Sequence, residues 1–334
     1  MNSLSPSLRR TADYILGCQL PSGAVPWFED GIIDPWDHTE ALMGLSVIGA
    51  HDAARAGFKW LKDRQREDGA WFAAYQGDEI ADATRAETNF VGYVASGLWH
   101  AYLASGDKSL LSDFWPMTER AMNWVVSLQA ETGEIYWAKD TVKGIDHDAL
   151  ITGCSSIFGS LGAAIQIGDT LGADTSPWEA ARSRLLVALQ QRPDRFDRTW
   201  PSKDRYSMDW FYPVLTGVYN GAAASERLDS RWTDFVVPDL GCKCVEEEPW
   251  VTVAETCELI MACTRAGQKK RALTLWQDIQ QFQLEDGSWW TGWVYRDQVH
   301  WPDERPTWTA AAILLAADAL FDISNASRFF KNAE

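Results

Sequence analysis

The sequence predicts an all-α protein folded as an (α/α)6 toroid, a closed barrel of six helical hairpins. One phrase, Gln then three residues then Gly with a Trp close behind, occurs four times along the 334 residues. Its copies are Gln19 to Gly23 with Trp27, Gln65 to Gly69 with Trp71, Gln129 to Gly133 with Trp137, and Gln283 to Gly287 with Trp289. Each copy follows a stretch with apolar residues at helical spacing, and alternating β patterns are few. A unit longer than about 40 residues that recurs in this way marks a repeat architecture.

The helical stretches come in two alternating kinds. The first hairpin pairs residues 8–18, charged on one side, with residues 39–48, which carry hardly any charge. Residues 53–64 and 90–103 repeat the pairing, followed by 110–128 and 151–167. Residues 178–190 and 208–219 form the fourth pair, 222–235 and 253–263 the fifth, 269–282 and 309–320 the sixth. The first member of each pair is amphipathic and keeps one face in solvent, while the second is apolar all round and buried. Outer-to-inner connections are long, as at 19–37, 66–88 and 284–306, and inner-to-outer ones are short, as at 49–51 and 105–107. Long loops carry function more often than short ones. The site is therefore expected on the face where the inner helices begin. No Ser- or Pro-rich linker divides the chain, so residues 1–326 are expected to form one barrel domain, with 327–334 a frayed tail.

A net charge of -17 and an abundance of acids repel phosphate backbones and anionic bilayers, so neither nucleic acid nor a membrane is the expected partner. No run reaches the roughly 18 apolar residues of a membrane span, and residues 1–20 lack a signal-peptide pattern, so a cytoplasmic location is expected. Of the six cysteines, Cys18, Cys154, Cys257 and Cys263 fall in apolar helical patterns and read as buried small residues. The Cys242-x-Cys244 pair is too slight to imply a metal or a disulfide. Metal-binding His spacing, Gly-x-Ser-x-Gly, Walker and dinucleotide-binding motifs are all missing, so no metal and no cofactor is expected.

Carboxylates stand in unusually apolar company near the inner helix starts. Asp37 lies in Asp34-Pro-Trp-Asp-His-Thr-Glu40, Asp209 follows Arg205-Tyr-Ser-Met, Glu255 follows Trp250-Val-Thr252, and Glu304 precedes Arg305 and Trp308. Asp34 or Asp37 also suits a helix cap. Glu255 and Asp209 sit in helices otherwise without charge, where a carboxylate must be paired or line a wet cavity. Two carboxylates in different surroundings divide acid and base roles, the requirement of glycosidic-bond cleavage. Asp37 and Glu255 are the expected pair, with Asp209 and Glu304 in reserve. Trp36, His38, Tyr206, Trp210, Tyr212, Trp250, Trp290 and Trp308 are the expected substrate contacts, because aromatic faces suit sugar rings. Arg205 and Arg305 are placed to hold an anionic sugar.

The Gln-x-x-x-Gly-x-Trp turns, best seen over Arg55 to Trp71, resemble the QW repeats of the squalene–hopene cyclase and prenyltransferase β-subunit superfamily. That resemblance implies an α/α barrel. The cyclases' Asp-x-Asp-Asp proton donor has no counterpart, Asp146-His-Asp148-Ala149 being the nearest approach. A second stretch, from Thr88 through Leu98-Trp99 and Gly106-Asp107 to Trp115-Pro116 and Trp124, resembles the barrel wall of glucoamylase- and trehalase-like six-hairpin glycosidases. It implies the same architecture and a carbohydrate substrate.

The expected function is a carbohydrate-active enzyme, glycoside hydrolase-like, acting on a small-molecule glycoside or an oligosaccharide, with a lyase or epimerase as variants. A terpene cyclase or prenyltransferase-like enzyme with an aromatic-lined apolar cavity is the competing reading, and a non-catalytic glycan- or protein-binding barrel the third. Oligomeric state has no sequence signature here.

Overall fold

The computed structural model describes residues 5–331. Its helices, in chain order, are α1 Pro6–Cys18, α2 Pro35–Val47, α3 His51–Arg64, α4 Thr88–Ser105, α5 Lys108–Ser127, α6 Ile151–Leu171 and α7 Ser176–Gln191. Next come α8 Ser207–Leu215, α9 Gly221–Ser230, α10 Trp232–Phe235, α11 Val253–Arg265, α12 Lys269–Ile279 and α13 Thr307–Phe321. The inner ring closes on itself: α2 packs on α4, α4 on α6, α6 on α8, α8 on α11, α11 on α13, and α13 on α2. Small residues let these helices approach closely. A Cβ on Gly44 of α2 would stand 3.0 Å from Ala311 of α13. The remaining helices form the outer wall, so the toroid expected from the sequence is the one observed.

Two elements differ from the expected spans. The fourth inner helix stops at Leu215 because Gly217 takes a positive φ of 82°. The fifth outer helix breaks between Ser230 and Trp232, where Arg231 leaves the helical region to pair with Asp234 and Glu246. Helix α6 is long and apolar enough in composition to cross a membrane, yet it is a mostly buried wall of the barrel. Residues 325–330, assigned in part to the tail, form a 3-10 helix packed on α4 and α13, with Phe330 buried and Phe329 and Phe330 against His100. The apolar pair outweighs the charged residues around it; residues 332–334 lie outside the described residues.

The repeated turns fasten the outer wall. Gln65 Nε2 donates to the carbonyls of Gly69 in its own turn and Met117 in the next outer helix, both at 2.8 Å. Gln129 does the same to Gly133 and Ala181, at 2.9 and 2.8 Å, and Gln19 to Gly23 and Ala53, both at 2.9 Å. Gln283 reaches Ser7 and Thr11 of α1, joining the last outer helix to the first. Each turn glycine has a positive φ, between 91° and 108°, and presses on the backbone of the following outer helix. Trp71 and Trp289 are fully buried behind these turns, with their N–H groups donated to Leu61 O and Thr11 Oγ1. The repeat is thus a hairpin-to-hairpin staple.

The long loops meet in a collar of three antiparallel sheets. The first joins Ile32–Ile33, Ala74–Gln76 and Glu79–Asp82, and the second joins Arg85–Glu87, Ala138–Asp140 and Gly144–Asp146. The third is five-stranded: Val299–His300, Gly292–Val294, Trp250–Thr252, Gly241–Lys243 and Val236–Val237, in that order. Strands this short leave no period-2 pattern to detect.

Candidate active site

Two inner helices bring acids into the mouth of the barrel. Asp34 caps α2: its Oδ1 accepts the backbone N–H groups of Trp36 and Asp37, both at 2.9 Å, and its Oδ2 accepts the Trp27 indole N–H at 2.7 Å. With Pro35 starting the helix, Asp37 falls in the first turn and Glu40 one turn deeper. On α11, Glu255 lies in the first turn and Glu258 follows at i+3, on the same face. The charges acting on these groups are largely each other's. Asp37 feels Asp34, Glu40 and Glu258, and Glu40 feels Asp34 and Glu255.

Burial and that mutual repulsion favour the protonated forms of Asp37, Glu40 and Glu258. Burial first, then Asp34, pushes the Asp37 carboxyl well above the usual carboxylate range. Burial pushes Glu40 up to about 8, and burial with Glu40 and Glu255 drives Glu258 well up. Asp34, Glu40 and Glu258 are almost closed to solvent, whereas Asp37 and Glu255 keep an open surface. Burial also raises the Cys244 thiol, which sits beside the Glu255 carboxylate.

Aromatic rings wall the cluster on the α4 and α8 sides. Trp36 stacks on Tyr93 with ring centres 4.3 Å apart and planes 7° from parallel, and it meets Phe90 at 6.3 Å and Tyr212 at 6.0 Å. Trp36 and Tyr212 are therefore brought together, while Asp37 feels the charges of Glu40 and Glu258, and Glu255 acts by charge on both. Glu40, Glu258 and Tyr93 complete the group and were not singled out. The pair Glu255-x-x-Glu258, two acids on one face of a helix with no other charge before Arg265, is a signal visible in the sequence.

Several expected site residues lie elsewhere. His38 is a structural residue: its Nδ1 accepts the Val25 N–H at 3.0 Å and its Nε2 faces Gly57 O at 3.2 Å, while burial lowers it to about 4. Trp210 points into the wall, donating to Arg227 O at 2.6 Å and stacking on Phe235 at 5.4 Å. Asp209 Oδ1 accepts the hydroxyl of Thr152 at 2.8 Å and its N–H at 3.3 Å, tying α8 to the start of α6, and burial raises it to about 6. Arg205 is exposed, paired with Glu247 and lying 5.6 Å from the centre of the Tyr206 ring. Glu304 gives its backbone carbonyl to Thr291, and Arg305 is exposed over Trp290 at 5.4 Å. Trp250 belongs to the five-stranded sheet, Trp290 stacks on His300 of that sheet at 4.4 Å, and Trp308 lies in the first turn of α13 with its indole nitrogen buried and unpaired. Among the described residues no group of three or more His, Cys, Asp or Glu is arranged to hold a metal ion, and all six cysteines are free thiols.

The same architecture occurs in solved structures. A glycosidase superposes with a TM-score of 0.75 at 14% identity, covering 94% of this chain and 96% of that one. A GH63 mannosylglycerate hydrolase from Thermus thermophilus gives 0.70 at 12% identity over 93% and 99%, and a D-mannose isomerase 0.74 at 12% over 95% and 96%. At such identities the likeness is one of fold, and a fold hosts many chemistries. No model of a known protein family matches the chain. Over 326 residues, 98% of this chain and 89% of the relative, it is 44% identical to an MMP endo-(1,4)-3-O-methyl-alpha-D-mannosidase of Mycolicibacterium hassiacum. An (α/α)6 barrel with this likeness is a glycoside hydrolase. The chain belongs to the family of that endo-mannosidase.

Proposed function

We propose that this enzyme cleaves internal α-1,4 bonds of mannose chains carrying 3-O-methyl groups, with Asp37 and Glu255 as the working carboxylates. The observation that carries the pair is their partial exposure: of the acids Asp34, Asp37, Glu40, Glu255 and Glu258, these two are half-buried and the other three are buried. Asp37, held protonated by burial and by Asp34, donates its proton to the glycosidic oxygen. Glu255, on the facing helix, stabilises the positive charge that develops at the sugar and takes the proton of the incoming water. Glu40 and Glu258 remain neutral behind them and offer hydrogen bonds to sugar hydroxyls without adding charge.

A neutral substrate fits the same arrangement. The arginines expected to bind a uronate are exposed, Arg205 against Glu247 and Arg305 over Trp290. A terpene-type reaction needs a dry apolar cavity, whereas this mouth is lined by carboxylates; the staple role of the repeated turns removes the motive for that reading. The test is product analysis by mass spectrometry on a 3-O-methylmannose oligosaccharide. Fragments from internal cleavage support the proposal; an intact chain, or cleavage of unmethylated mannan alone, contradicts it.

A further inference from the structure

At its outer strands the five-stranded sheet of the collar has one face filled by stacked rings and another left bare at Val299 and Trp301. Cross-strand partners share a face, and alternate residues oppose it. Trp250 pairs with Val294, and Val294 with Val299, so these three side chains form one row. Trp301 extends the ladder with its N–H on Gly292 O at 3.1 Å, two residues beyond Val299, and therefore stands on the same face. The opposite face carries Trp293 and His300, with Trp290 stacked on His300 at 4.4 Å and Trp293 at 4.8 Å, and is closed by those rings.

The bare face is apolar and built. A Cβ on Gly292 would lie 2.5 Å from Trp250 Nε1, so the glycine lets the Trp250 indole lie across the sheet. The indole donates to Trp301 O at 2.8 Å and meets the Trp301 ring edge-on at 4.9 Å. Trp301 is nevertheless 55% exposed and Val299 48%, and the two lie side by side on one face. The strand that carries Trp250 runs straight into α11, placing the indole five residues before Glu255.

We propose that this face, centred on Trp301 and Trp250, is a chain-binding subsite that holds O-methylated mannose units beyond the bond being cleaved. The inference rests on the reading of function above. Indole faces pack against the C–H faces of pyranose rings, and O-methyl groups replace hydroxyls that would otherwise need partners. The row Trp250, Gly292, Val294, Val299 and Trp301 has no charged member, and a net charge of -17 disfavours an anionic bilayer as its occupant.

The test is binding to Glu255→Gln protein, so that turnover does not intervene, with and without Trp301→Ala. The probes are a 3-O-methylmannose decamer, the corresponding disaccharide and phosphatidylglycerol vesicles. The subsite predicts at least tenfold weaker decamer binding in the Trp301→Ala protein, unchanged disaccharide binding and no vesicle binding. Val299→Ser, on the same face, gives a smaller loss in the same direction. Equal decamer affinity with and without Trp301, or vesicle binding that Trp301→Ala abolishes, overturns the subsite. Decamer binding that depends on Trp301, found together with a wild-type protein that cleaves no methylmannoside, would leave the subsite standing and remove the assigned reaction. No binding of either sugar removes both.

Discussion

The Trp36 indole lies flat on the Tyr93 ring, 4.3 Å between centres, and both polar groups face the Glu40 carboxyl. One stack thus fixes this wall of the mouth and feeds hydrogen bonds to the Glu40 carboxyl. Tyr93→Phe keeps the rings and removes one donor. The variant is expected to lose about 0.5–1.5 kcal/mol of stability, the net worth of one hydrogen bond, in denaturant unfolding. Activity should fall several-fold more than in Phe90→Leu at the edge of the stack, measured as kcat/KM on one oligosaccharide.

The Glu40 carboxyl gives the stability a slope with pH. It titrates near 8 when folded, against an ordinary value of 4.5. A raised acid binds more protons in the native state, so its contribution is full below 4.5 and is lost as the pH rises through about 8. The Tm of wild type should fall across that window, and Glu40→Gln should flatten the fall. An equal slope in both proteins would assign the effect to another group.

The staples should carry stability without carrying chemistry. Gln65→Ala removes two bonds to backbone carbonyls, at a cost of about 1–3 kcal/mol. Gly69→Ala is expected to cost more than about 1 kcal/mol, because φ is 97° and the new Cβ would stand 2.5 Å from Arg120 O. Chemical denaturation reads the loss, and activity per folded molecule should stay within about twofold of wild type.

Asp209 is expected to behave as a tie between α8 and α6. Asp209→Asn keeps an acceptor for the Thr152 hydroxyl and should retain most of kcat, whereas Asp209→Ala leaves Thr152 unpaired and should lower Tm by several degrees. A collapse of kcat in the folded Asn variant would return Asp209 to the catalytic group.

The architecture was legible in the sequence because it is local: a charged stripe, an uncharged helix and a glycine turn each show within about 20 residues. Asp37 and Glu255 draw notice in the sequence for a related reason, since acids are few in the apolar inner helices. Glu40 and Glu258 lay one turn deeper in the same helices, and only the closed ring shows that the two helices face a common space. His38 and Trp210 misled because residue type does not tell which side of a buried helix a side chain occupies. His38 turns outward to Val25 and Gly57, Trp210 to Arg227 and Phe235. The collar strands, two to four residues each, exist through pairing between distant loops and leave no local pattern.

The central claim is that Asp37 and Glu255 together break the glycosidic bond. Its most direct test is the steady-state rate on a 3-O-methylmannose oligosaccharide for wild type, Asp37→Asn and Glu255→Gln, with thermal unfolding as the check on folding. Removal of a general acid or its partner costs about 10²–10⁴ in rate. Both folded variants should lose at least about 100-fold in kcat, and the double variant should lose little more than the worse single one, because the two act as a unit. Wild-type kcat in either folded variant would contradict the assignment and move the chemistry to other acids of the cluster.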